Sequence, residues 1–159
     1  MLKYTTTEVT FREIPDEITL CINISNCPIH CPDCHSKELW NDIGEILYPD
    51  TLLRLIEENK GITCVCFMGH SSIDEINEVI KLAHLIKDIY DDVKVALYSG
   101  YTNIIKDTKN NVFDYIKEGP YISTLGSIDK ITTNQRFYKN ISGNFIDITD
   151  IFWNGWKYE

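Results

Sequence analysis

Residues 27–35 read CPIHCPDCH, and no other segment restricts the chain as much. Cys27, Cys31 and Cys34 follow one another at C-x3-C-x2-C. A tight loop of this kind can turn three thiolates toward one point. Soft thiolate ligands select iron–sulfur clusters, zinc or copper(I). A cubic four-iron cluster has four corners, so three protein thiolates would leave one iron open to a substrate. The competing arrangement is a closed tetrahedral zinc site, Cys3His, completed by His35 or His30. Short zinc loops more often pair two C-x2-C knuckles, and no second knuckle appears.

The other three cysteines read differently. Cys64 and Cys66 are spaced C-x-C inside the apolar run ITCVCFM, so they point to one face and behave as small buried hydrophobes. Cys21 belongs to the core on the same reasoning. The start, MLKYTTTEVTFREIP, has no long apolar stretch after its basic residue, and no run reaches the roughly 18 apolar residues of a membrane span. The expectation is therefore a soluble, cytoplasmic chain. Thiols stay reduced there, so six cysteines do not imply three disulfides. A net charge of −9 repels phosphate backbones and argues against nucleic acid as a partner.

The chain has 159 residues, 43% of them hydrophobic, which suits one domain over 1–159 with a substantial core. Strand and helix signals alternate along it. Residues 17–24, 62–68, 93–98 and 113–117 read as strands, and 50–60, 73–90 and 102–108 as helices. Ser72 and Glu75 form a capping-box pattern before the second helix. A hairpin is expected around Gly143-Asn144, with FIDITDIFW as its second strand. Alternation of this kind predicts an α/β fold with a mostly parallel sheet. A closed eight-unit barrel needs roughly 250 residues, so the expected form is an incomplete β/α barrel. Ligands in such sheets sit at the carboxyl ends of the strands. The residues there are Cys27 to His35, Gly69-His70, Ser99-Gly100 and Gly119-Pro120.

At these residues the sequence resembles the radical S-adenosylmethionine superfamily, whose signature is C-x3-C-x2-C after the first strand. Within it the chain is similar to the activating proteins of anaerobic ribonucleoside-triphosphate reductases. The resemblance extends over nearly the whole chain, through INISNCPIHCPDCHS, FMGH, LYSGY, DYIKEGPY and TTNQRFY. It departs from the superfamily pattern at two places. Asp33 stands where many members carry an aromatic residue. Met68-Gly69-His70 stands where the usual loop is Gly-Gly-Glu, so the carboxylate that receives the methionine amino group is missing. Backbone carbonyls, the His70 imidazole, Asp74 or Glu75 would have to serve instead.

The resemblance implies a 4Fe-4S cluster on Cys27, Cys31 and Cys34 and S-adenosylmethionine (SAM) as second cofactor. It implies adenine against the backbone of Asp33, Cys34 and His35 and the methionine end near Gly69 and His70, while Ser99, at a strand end, would hydrogen-bond the ligand or cap the next helix. It implies no catalytic side chain beyond the cluster and SAM. The implied partners are the anaerobic reductase large subunit, on which a glycyl radical is generated, and an electron donor such as flavodoxin or ferredoxin. Asn134, Gln135 and Arg136 would position ligand or partner, or form an ordinary polar turn. Trp153 and Trp156 would pack on the core or dock the partner. Two alternatives stand beside this reading: another small radical SAM enzyme, and a non-catalytic, zinc-stabilised α/β module.

Overall fold

The computed structural model describes residues 1–69, 73–108 and 112–153. The strands are β1 (Lys3–Thr10), β2 (Thr19–Ile24), β3 (Glu45–Ile46), β4 (Cys64–Met68), β5 (Lys94–Ser99), β6 (Tyr115–Glu118), β7 (Arg136–Ile141) and β8 (Asn144–Asp147). The helices are α1 (Pro49–Glu58), α2 (Ile73–Ile89) and the short α3 (Ile104–Thr108). All eight strands of the described residues join one sheet in the order β3-β1-β2-β4-β5-β6-β7-β8.

This sheet corrects the expected fold class. It is mixed rather than mostly parallel, and it is not an incomplete β/α barrel. Parallel pairing is confined to β2-β4, β4-β5 and β5-β6. Four further pairings, β1-β2, β1-β3, β6-β7 and β7-β8, are antiparallel. The physical reason lies in the connections. Parallel neighbours need a crossover, and the α1 and α2 segments supply two long ones. At both flanks the chain simply turns back, so β1 and β7 run against their neighbours. The β7-β8 hairpin turns at Ser142 and Gly143, both at positive φ. FIDITDIFW is only partly strand: β8 stops at Asp147, and residues 149–152 form a 3-10 turn.

The two faces of the sheet differ. Leu20, Ile22, Val65, Phe67, Val95, Leu97 and Ile116 point to one face and pack under the helices. Helix α1 begins with Pro49, whose missing N–H is harmless in a first turn, and buries Leu52, Leu55 and Ile56. Helix α2 buries Ile76, Val79, Leu82, Ala83 and Ile86, at the three- and four-residue spacing of one helical stripe. The Ser72 capping box lies outside the described residues. The opposite face carries Cys21, Cys64, Cys66, Ala96, Tyr98, Tyr115 and Phe137. No α-helix among the described residues covers it; Ile14, Ile128, Ile148 and Phe152 close over its lower part. No helix among the described residues is long and apolar enough to cross a membrane.

Candidate metal centre

The cysteine segment begins three residues after β2 and is pinned at both ends. Ser25 N–H donates to the Lys3 carbonyl at 3.0 Å, and Ser25 Oγ donates to the Ile43 carbonyl at 2.6 Å. Asn26 N–H reaches the Asn41 carbonyl at 3.0 Å, and Cys27 N–H reaches the Leu39 carbonyl at 2.8 Å. Between these ties, Pro28 and Pro32 lack an N–H and hold φ near one value, which favours an irregular loop. Cys34 N–H donates to the Cys31 carbonyl at 3.0 Å, closing the C-x2-C turn, and Ser36 N–H points at Cys34 Sγ at 3.4 Å.

The three thiols are half-buried and line one cavity of about 200 Å³. The cavity lies where β2, β4, β5 and β6 end, so the loop after each parallel strand reaches it. Gly69 comes from β4, Ser99 and Gly100 from β5, and Gly119 and Tyr121 from β6. Burial pushes the Cys31 thiol up; the Tyr121 backbone N–H opposes this, and the nearby Cys34 and Cys27 add to the rise.

Soft thiolates suit an iron–sulfur cluster, and a closed zinc site on them would need a fourth ligand such as His30 or His35. Both candidate zinc histidines are engaged with aromatic rings instead. His30 stacks on Trp40 with centroids 4.7 Å apart and planes 13° from parallel, and His35 lies 5.7 Å from the Tyr121 ring. The remaining cysteines sit below the cavity in the sheet. Cys64 and Cys66 have no exposed surface, and burial raises both thiols.

Of the other candidate residues, Cys34, Gly69 and Ser99 line the cavity, whereas Asp33 and His35 are exposed on the loop. His70 and Trp156 lie outside the described residues. Ser99 Oγ accepts the Tyr101 N–H at 3.0 Å. Gln135 lines the cavity and donates to the Gly119 carbonyl at 3.3 Å; Asn134 donates to the Pro120 carbonyl at 2.9 Å. These two residues therefore brace the β6 exit loop. Arg136 turns away toward Asp147 and the Trp153 ring, and Trp153 Nε1 donates to the Ile128 carbonyl at 3.0 Å.

The cavity floor had no counterpart in the sequence reading. Asn23 pairs with Met68, and Tyr98 pairs with Lys117. All four line the cavity, forming one row across four neighbouring strands. The available signal was strand phase: each stands two residues beyond Cys21, Cys66, Ala96 or Tyr115, on the face without helices.

Residues 18–137 match the family model described as 4Fe-4S single cluster domain. The match spans the cysteine loop and all four parallel strands. Neither the curated proteins nor the solved structures contain a significant match. The three half-buried thiols about one cavity and the family match over most of the chain lead to one conclusion: this chain belongs to the 4Fe-4S single cluster domain family.

Proposed function

We propose that Cys27, Cys31 and Cys34 hold the 4Fe-4S cluster and that the chain is a radical SAM activase of an anaerobic, class III ribonucleoside-triphosphate reductase. The observation that carries this reading is the division of the six cysteines. Three line a cavity at the strand ends, and three are buried in the sheet. Three ligands leave one iron for the amino and carboxylate groups of SAM. When bound, the two cofactors supply reductive cleavage of the sulfonium C–S bond, giving methionine and a 5′-deoxyadenosyl radical that takes a hydrogen atom from a backbone glycine of the reductase. The electron comes from a donor such as flavodoxin or ferredoxin.

The chain's own residues bind, orient and exclude water. The backbone of Asp33, Cys34 and His35 would take the adenine, and Gly69 with His70 would support the methionine amino group. Ser99 Oγ accepts a hydrogen bond from Tyr101 N–H, which leaves its O–H as a donor for the ligand. Met68, Leu39 and Ile29 give the cavity apolar walls, which keep water from a reactive carbon radical. The resemblance in LYSGY, EGPY and TTNQR favours the reductase-activating branch over other small radical enzymes.

The test is anaerobic reconstitution with iron and sulfide, then mixing with a class III reductase, a reductant and SAM. The expected result is a glycine-centred doublet in electron paramagnetic resonance and stoichiometric 5′-deoxyadenosine. Release of 5′-deoxyadenosine without the doublet points to a different radical partner. A colourless protein carrying one zinc per chain overturns the reading.

A further inference from the structure

Residues 119–135 connect β6 to β7. They exceed the roughly 12–15 residues beyond which an irregular connection is uncommon and usually functional. Both ends of this loop line the cavity, through Gly119 and Tyr121 on one side and Gln135 on the other. The loop therefore rises from the cavity rim. Its own hydrogen bonds fix its shape. Gly126 N–H donates to the Ile122 carbonyl at 3.0 Å, Thr132 Oγ1 donates to the Leu125 carbonyl at 2.5 Å, and Trp153 Nε1 donates to the Ile128 carbonyl. Ile128 turns inward and packs on the Phe137 cluster. Ile122, Leu125 and Ile131 do not; they are 39%, 37% and 75% exposed. Single exposed aliphatics are ordinary on any surface, but three on one pinned loop at the mouth of a cavity are not scattered.

The charge pattern narrows what covers them. Asp129 and Lys130 are the only charged residues of the loop, and they pair with each other at 3.7 Å. The loop is thus neutral in a chain of net charge −9. Two copies with that charge repel one another. Three side chains also supply only part of the about 800 Å² per partner that a stable dimer buries. A small, uncharged contact suits a different protein that docks briefly and leaves. The reaction proposed above needs such a contact, because its target is a backbone glycine of another chain that must be brought to this cavity. We propose that Ile122, Leu125 and Ile131 dock an apolar, uncharged face of the glycine-bearing reductase and guide the glycine segment past Tyr121 into the cavity. The inference rests on the reading above for the identity of the partner.

Anaerobic calorimetry of the reconstituted protein against a class III reductase tests this. Ile131 is too exposed to carry the fold, and Ile131→Asp and Ile131→Lys are each expected to weaken the complex about tenfold or more. The control is Ile89→Asp. Ile89 is 50% exposed at the end of α2, where the chain turns toward β5 on the side away from the cavity, and its variant should bind like wild type. SAM affinity should stay unchanged in all three variants. Weakening by Ile131→Asp but not by Ile131→Lys would reduce the effect to charge and overturn apolar docking. Equal binding by all variants overturns it as well. So does a wild-type chain that self-associates alone and is made monomeric by Ile131→Asp, which gives the surface to a second copy. Each of these results leaves the reading of the cavity standing. A wild-type chain that cleaves SAM yet neither binds the reductase nor yields its glycyl radical overturns the partner in that reading, and this proposal with it.

Discussion

Replacing Gly69 by alanine measures how tightly the cavity rim is tied to the cysteine loop. Gly69 follows β4 at φ +88°, in the left-handed region. A Cβ there costs about 1–2 kcal/mol of backbone strain. The same Cβ would stand 2.6 Å from the Ile24 carbonyl oxygen and 3.0 Å from Leu39 Cδ1. The first of these is backbone and cannot rotate away, so relief requires a strand end to move, at about 1–3 kcal/mol. Gly61 is a matched control: it has φ +95° and nothing within 4 Å of an added Cβ. Gly61→Ala should therefore lose about 1–2 kcal/mol and Gly69→Ala about 2–5 kcal/mol. Urea unfolding of the metal-free protein reads both, provided the denaturant slopes agree.

The two variants should part further in the loaded protein. Ile24 ends the strand that leads into the cysteine segment, and Leu39 accepts the Cys27 N–H. An alanine at 69 thus pushes on both anchors of the loop, and one at 61 on neither. Iron retained after anaerobic gel filtration should fall for Gly69→Ala and stay at the wild-type level for Gly61→Ala. Equal stabilities, within about 0.5 kcal/mol, together with equal iron would refute the coupling.

Cys31→Ala should abolish the broad thiolate-to-iron absorbance and SAM cleavage, whereas Cys64→Ala should keep both and lose on the order of 1 kcal/mol of stability; a colourless Cys64 variant with an intact fold would mean a misassigned ligand. Glu17→Ala should cost about 1–3 kcal/mol in urea unfolding, because the buried carboxylate accepts from Thr63 Oγ1 at 2.6 Å, from Tyr115 OH at 3.1 Å and from Lys94, and its removal takes this acceptor from the buried Tyr115 hydroxyl, whereas Thr63 keeps Ile18 and the half-exposed Lys94 reaches water. Cluster content of material that folds should not change, since Glu17 precedes β2 at the end of the sheet away from the cavity. Burial pushes the Tyr115 phenol well above its ordinary value of 10.0, with Glu17 adding to the rise, and burial likewise raises Tyr98. The unfolded chain then releases these protons before the native one does, so stability should fall as pH rises beyond about 10, and less steeply in Tyr115→Phe. An identical pH slope in that variant would contradict the assignment.

How far the sequence could be read depended on how each element meets solvent. The apolar runs of β2, β4 and β5 were legible because these strands are covered on both faces, and α1 and α2 because each buries one stripe. β1 escaped notice: KYTTTEVT buries only Tyr4, and its threonines and Glu8 face outward or lie half-exposed. β3 has two residues and carries no periodic signal. Missing β1 and β3 helped make the sheet look parallel, because apart from the hairpin at Gly143 the legible strands were the ones that crossovers join. The cysteine loop was legible from spacing alone. The engagement of His30 with Trp40 was not, since it needs the nine residues between them to fold back.

The cavity floor teaches a narrower lesson. Asn23, Met68, Tyr98 and Lys117 are unremarkable one at a time. Strand phase puts them on the face that the helices leave bare, and parallel register lines them up at one level. The same phase sets Cys21 and Cys66 one step lower, where Ile14, Tyr98 and Phe137 seal them from water. A thiol there cannot ionise cheaply, and burial lifts Cys66 well above the ordinary thiol range. A thiolate-ligated cluster needs sulfurs that lose their protons, so the pleat sorts six like residues into three that can serve as ligands and three that cannot. Which cysteines are free to act as ligands therefore follows from which residues lie beyond the strand ends.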